Sequence, residues 1–206
     1  MLTERTSRER RLSALAGFAI VAAVISLSVA ACTTVSAQNE THSSGGKSAG
    51  SSTGSAPAHK GPPNADDGVL PDHTSAYDTD LPGIAKLDPA LRKAVQEAET
   101  AMTADGIRMQ VTTGWRSKKY QEELLQKAIH KYGSKKKALE YVADPDESHH
   151  VTGHAVDIGP TDADDWLNRK GNRYGLCQTL SNEIWHFELV TEPGHSCPPM
   201  TDPTKK

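Results

Sequence analysis

The sequence has no surplus of positive charge. Its formal net charge is −3 at pH 7, so the electrostatic footprint of a nucleic-acid binder is missing. Internal repeats and heptads are absent too, which excludes a solenoid or a coiled coil and leaves a monomer as the expectation. Large apolar residues are almost missing from Ser36 to Asp72, where Ser, Gly, Ala and Pro dominate. Such a stretch cannot bury enough surface to offset its ordering entropy, so it is excluded from any core and reads as a flexible tether.

One long hydrophobic run is present. Leu12 to Ala31 carries no charge and follows Arg5, Arg8, Arg10 and Arg11, a basic segment leading into an apolar one, as export signals are built. The run ends in small residues directly before Cys32, the layout of a bacterial lipoprotein cleavage site. It is also long enough to span a bilayer. Two readings therefore stand: a processed signal with lipid on Cys32, or a retained N-terminal helix as membrane anchor. Both place the rest of the chain outside the cytoplasm. Without residues 1–31, which hold four Arg and two Glu, the net charge moves from −3 to −5. With Cys32 set aside, Cys177 and Cys197 remain of the three cysteines. An even pair in an exported chain predicts a disulfide, the alternative being two free thiols.

The expected organisation is a signal or anchor over 1–32, a disordered linker over 33–74, one domain over 75–198 and a disordered tail over 199–206. In the domain, Asp88 and Pro89 start a helix as N-cap and first helical residue, with Leu91, Val95, Ala98 and Met102 at helical spacing. "IRMQVTTG" alternates as a strand does. Tyr120, Leu124, Ala128, Ile129 and Tyr132 mark a second helix closed by Gly133, and a short third helix is expected over Lys135 to Val142. "HAVDIG" reads as a strand, "DADDWLNRKGNRYG" as a helix and "EIWHFELV" as a final strand. This order predicts an α+β domain with a small, mostly antiparallel sheet flanked by helices.

The segment "ESHHVTGHAVDIG", Glu147 to Gly159, concentrates three histidines and an aspartate. Zinc takes His nitrogens and carboxylate oxygens, three in a catalytic site, with the fourth position open. A turn at Thr152-Gly153 brings Asp157 opposite His150, and His186 in "NEIWHFEL" offers a third donor. Glu183, three residues earlier, is placed to act on water as general base. On residues alone a bland reading competes: His149 and His154 as exposed loop residues, Asp157 as a turn cap, and His186 as a half-buried strand residue. His154 is expected to face away from Asp157 by strand alternation. His149 is expected beside the site, and Trp115 and Trp185 in the core or a cavity wall.

"SHHVTGHAVD" fits S-x-H-x-x-G-x-A-x-D, "EIWH" fits E-x-W-H, and "GWRS" lies upstream. Together they resemble the VanY-type zinc D-alanyl-D-alanine carboxypeptidases and their VanX-type dipeptidase relatives, over about residues 85–190. The resemblance implies a single zinc-peptidase domain of the hedgehog/D-Ala-D-Ala peptidase-like fold. It implies Zn2+ on His150, Asp157 and His186, and Glu183 as the base that activates water. Arg116 would stabilise the oxyanion or bind substrate, and Ser148, Ser117, Gln121 and Trp185 would be substrate contacts. The implied partner is the peptidoglycan stem peptide, at the outer face of the membrane or in the cell wall, with terminal D-alanine removed. Competing functions are an L,D-carboxypeptidase, an L-Ala–D-Glu endopeptidase, and a non-catalytic wall-binding lipoprotein. The run Lys135 to Lys137 reads as a solvated helix face.

The chain departs from that pattern at Trp115, where the family usually has Tyr, at Val151 for Gln and at Ile184 for Pro. Only Leu176 to Asn182 separates Gly175 from Glu183, where relatives typically carry a longer loop. That shortening predicts a more open cleft, with Cys177 and Cys197 at the same edge.

Overall fold

The computed structural model describes residues 61–205. The export segment, Cys32 and the tether as far as residue 60 lie outside the described residues. No helix among the described residues is long and apolar enough to cross a membrane.

Helix α1 (Pro82–Ala85) leads into α2 (Pro89–Ala104). Asp88 caps α2 by accepting from the backbone N–H of Ala90 and Leu91 at 2.9 and 3.0 Å, which satisfies two of the donors a helix start leaves open. Leu91, Val95, Ala98 and Met102 are buried as their spacing predicts. The remaining elements are β1 (Gln110–Thr113), α3 (Lys118–Tyr132), α4 (Lys135–Ala138), α5 (His149–Thr152), β2 (Ala155–Gly159), α6 (Thr161–Lys170), β3 (Leu176–Gln178) and β4 (His186–Leu189). The four strands form one sheet in the order β1-β2-β4-β3, every neighbour antiparallel. The domain is α+β.

Strand alternation divides the sheet chemically. Val156, Ile158 and Phe187 join the ridge of α2 and Ala163, Trp166 and Leu167 of α6 in the main core. Their neighbours Asp157, His186 and Glu188 are turned to the opposite face. The β2–β4 register sets Asp157 directly across from His186. Leu125, Ala128 and Ala138 form a second, smaller cluster between α3 and α4.

The structure corrects the sequence reading in several places. Strand β3 forms inside the short span before Glu183, where no strand is expected, because it pairs with β4. The expected turn at Thr152-Gly153 is the end of a one-turn helix, α5, that carries His150. Helix α4, expected to reach Val142, stops at Ala138, and α6 gives way to a 3-10 turn, Gly171–Tyr174. On α3 the buried line runs through Gln121, Leu125 and Ala128 rather than Leu124, since Leu124 faces a cleft.

Residues that composition assigns to the linker and the tail make contacts with the domain. Residues 61–74 lie on the domain: Asp67 is buried and accepts from the Ser117 hydroxyl at 2.7 Å. Gly68 has φ 94° and lies so near Trp115 that a Cβ there would stand 2.0 Å from its carbonyl oxygen. The tail folds back as well, with Thr201 bridged to Leu180. Short polar segments need only a few backbone bonds and one buried group to dock, and composition does not register these. Cys177 and Cys197 form a disulfide across a separation of 20 residues, which constrains the unfolded chain by roughly 3 kcal/mol in the loop-entropy account.

Gly153 ends α5 at φ 77°, and an added Cβ would stand 2.4 Å from the Lys86 carbonyl oxygen. Its own carbonyl accepts from the Asp88 N–H at 2.9 Å, so it ties the His150 turn to the start of α2. Gly153→Ala is expected to destabilise by at least about 1–2 kcal/mol from the left-handed backbone alone. A denaturation midpoint equal to that of the unaltered chain would refute this.

Candidate metal centre and cleft

Three donor atoms converge on the polar face of the sheet. His150 Nε2 lies 3.2 Å from His186 Nδ1 and 3.3 Å from Asp157 Oδ1, and His186 Nδ1 lies 3.2 Å from Asp157 Oδ1. Asp157 and His186 meet through the strand register. His150 reaches them because α5 and Gly153 fold the chain back onto β2.

The hydrogen bonds on the far side of each ring set its tautomer. His150 Nδ1 faces the Gly114 carbonyl at 2.9 Å, so it carries the proton and leaves Nε2 with a lone pair. His186 Nε2 faces the Glu188 carboxylate at 2.9 Å, so its Nδ1 is the free one. With both rings neutral, two imine lone pairs and a carboxylate oxygen point at one another, a repulsive arrangement that a cation relieves, whether a metal ion or a proton on His186. Tetrahedral zinc with bonds of about 2.0–2.1 Å places its ligand atoms about 3.3–3.4 Å apart, close to the 3.2–3.3 Å found here. The set of two imidazoles and one carboxylate also suits zinc, and outer partners such as Gly114 and Glu188 are what orient ligating histidines.

The electrostatics agree. Burial works against charge on His186, yet its bonds to Asp157 and Glu188 raise its pKa to about 9. Burial likewise opposes the Asp157 carboxylate, but His150 and His186 hold it well below the usual range. Burial pushes His150 down. Glu188, despite its burial, is brought to about 2 by bonds from His186, Thr179 and His149. A site that favours positive charge this strongly is suited to a cation.

Arg116 is buried behind Asp157. It donates from Nη2 to Asp157 Oδ2 at 3.4 Å and from Nη1 to Gln121 Oε1 at 3.2 Å, which keeps Oδ1 turned to the histidines. Its Nε is buried without a hydrogen-bond partner among the described residues. Glu183 Oε2 stands 3.8 Å from His186 Nδ1, beside the donor triangle but outside its spacing. Burial, then Asp157, raises the pKa of Glu183 against the pull of His186 and Arg116.

A cleft of about 930 Å³ opens over this group, with Arg116, Gln121, Ser148, Glu183 and His186 in its wall. The other two expected substrate contacts are not in its lining. Ser117 caps α3, accepting from the Tyr120 N–H at 3.0 Å, and bonds to Asp67. Trp185 is 43% exposed in the turn before β4. Trp115 lies behind α5, its indole N–H donating to the Val151 carbonyl at 3.0 Å, so it holds the helix that carries His150. His149 pairs with Glu188 at 2.7 Å, and His154 is exposed. Lys135 and Lys136 line the cleft rim rather than forming a wholly solvated face. Glu188 is the residue sequence reasoning missed. Its signal was its place two residues after His186 on one strand, hence on the same face.

The family model described as VanY, D-alanyl-D-alanine carboxypeptidase, matches residues 84–196. A D-alanyl-D-alanine carboxypeptidase of Enterococcus faecalis is 26% identical over 142 aligned positions, covering 55% of this chain and 53% of the relative. The chain thus spans about half the length of that curated relative. Among solved structures, a vancomycin-resistance D,D-pentapeptidase VanY variant in complex with Zn(II) is 25% identical, with a TM-score of 0.48 over 51% of this chain and 73% of its own. The LdcB LD-carboxypeptidase is 24% identical, with a TM-score of 0.48 over 64% and 70%.

Proposed function

Because the chain belongs to the VanY family of D-alanyl-D-alanine carboxypeptidases, we propose that it is a zinc-dependent D,D-carboxypeptidase removing the terminal D-alanine of peptidoglycan stem peptides. The observation that carries this reading is the triangle of His150, Asp157 and His186, with Glu183 beside it in an open cleft. Zinc held by these three residues supplies Lewis acidity, polarising the scissile carbonyl and making water a nucleophile near neutral pH.

The side chains do the rest. Glu183 takes the proton of the attacking water, holds it on its carboxyl and passes it to the leaving amine. Its raised pKa suits a group that must both accept and return a proton. The Arg116 guanidinium, buried at the cleft wall, faces the charge that develops on the carbonyl oxygen, where a well-placed donor contributes on the order of 3 kcal/mol. Through Oδ2 it also fixes the orientation of Asp157. Ser148 and Gln121 shape the wall around the peptide.

The basic and apolar N-terminal segment supports a location at the outer face of the membrane or in the wall, tethered through Cys32 or the N-terminal helix. The Cys177–Cys197 disulfide suits that oxidising setting. Incubating the purified protein with zinc and a defined pentapeptide stem should release one D-alanine and leave a tetrapeptide by mass. A tripeptide made only from a tetrapeptide stem would instead identify an L,D-carboxypeptidase, and a cut between the first two residues an endopeptidase. No cleavage of any stem would leave the wall-binding alternative.

A further inference from the structure

The short span from Leu176 to Asn182 should leave the cleft open at one edge, yet that edge has a wall. It comes from the segment after Cys197, outside the residues that the family model matches. The disulfide to Cys177 fixes the start of this segment against β3. Thr201 then adds a parallel bridge beside Leu180: its N–H donates to the Thr179 carbonyl at 2.8 Å, and its carbonyl accepts from the Ser181 N–H at 2.9 Å. Beyond it, Asp202 accepts from the Thr204 N–H and hydroxyl at 3.0 and 2.6 Å, closing a 3-10 turn over Pro203–Lys205. Pro203 and Thr204 enter the cleft lining next to Leu180, and Leu139 and Tyr141 also line the cleft.

We propose that residues 198–205 are a fixed wall of the substrate cleft that contacts the stem peptide beyond the two residues flanking the scissile bond, and so set peptide-length preference. The proposal rests on the peptidase reading above. Into the cleft the strap puts a proline ring and a threonine, while its charges, Asp202 and Lys205, pair with each other at 3.0 Å, so its complement is an uncharged, aliphatic stretch of peptide. It lies apart from the donor triangle, which is built wholly from α5, β2 and β4. Its contribution is therefore binding rather than chemistry.

Two variants, one a substitution and one a truncation, separate these effects. Thr201→Pro removes the N–H that bridges to Thr179, and a chain lacking residues 198–206 keeps the disulfide but loses the strap. With zinc content unchanged, KM for an N-acetylated pentapeptide should rise about tenfold in both, while kcat/KM for N-acetyl-D-alanyl-D-alanine stays within about twofold, the signature of lost uniform binding. Unchanged KM for both substrates would overturn the proposal. So would a parallel loss on both, which marks a structural role. Calorimetric titration of the same pentapeptide onto each protein, which needs no turnover, should show the same tenfold weakening. If the unaltered protein binds the peptide in a strap-dependent way but releases no D-alanine, the D,D reading fails and the strap stands.

Discussion

Glu183→Gln is expected to lower kcat for D-alanine release by about 10²–10⁴-fold, the usual contribution of a general acid–base group, with zinc content unchanged. The amide keeps the size and hydrogen-bonding capacity of the acid but cannot take a proton from water. Metal retention follows from geometry. Glu183 Oε2 stands 3.8 Å from His186 Nδ1, whereas the three donors lie 3.2–3.3 Å from one another. The pH profile gives a second reading. A base works deprotonated, so kcat/KM should fall on the acid side as the Glu183 carboxylate protonates. In the glutamine variant this limb should vanish from the residual rate. Full activity in Glu183→Gln, or loss of zinc from it, would remove Glu183 from the role assigned.

Much of this site was legible in the sequence because its logic is local. Alternation on "HAVDI" separates Asp157 from Val156 and Ile158, and the spacing of Glu183 and His186 holds both at one strand end. Long-range contacts were hidden. Nothing in "LCQ" marks β3, since a three-residue strand exists only through its partner β4. The docking of Asp67 onto Ser117 joins residues 50 positions apart, and low-complexity surroundings mask it. Ser117 belongs to a motif expected to meet substrate, and its side chain caps α3 and bonds to Asp67. Trp185, of the same kind of motif, is 43% exposed. A motif records which residues recur, while the backbone decides where each one points.

That distinction makes the donor triangle testable residue by residue. His186→Ala should abolish stoichiometric zinc binding and D-alanine release together, because it removes a ligand and leaves Asp157 and Glu188 buried without the ring between them. Glu188→Gln removes no ligand. It replaces the carboxylate that holds the His186 proton on Nε2, and an outer-shell change of this kind weakens metal affinity by about 10–100-fold. Chelation of the unaltered protein should stop turnover and lower its melting temperature, since a metal present at about 1,000 times its dissociation constant stabilises the native state by about 4 kcal/mol. The expected order of zinc affinity is unaltered chain, then Glu188→Gln, then His186→Ala, measured by competition with a chromogenic chelator. A His186→Ala chain that retained one equivalent of zinc would mean that the cation is held elsewhere. Hydrolysis that survived complete chelation would mean that Glu183 and Arg116 act without it, and either result would dismantle the centre.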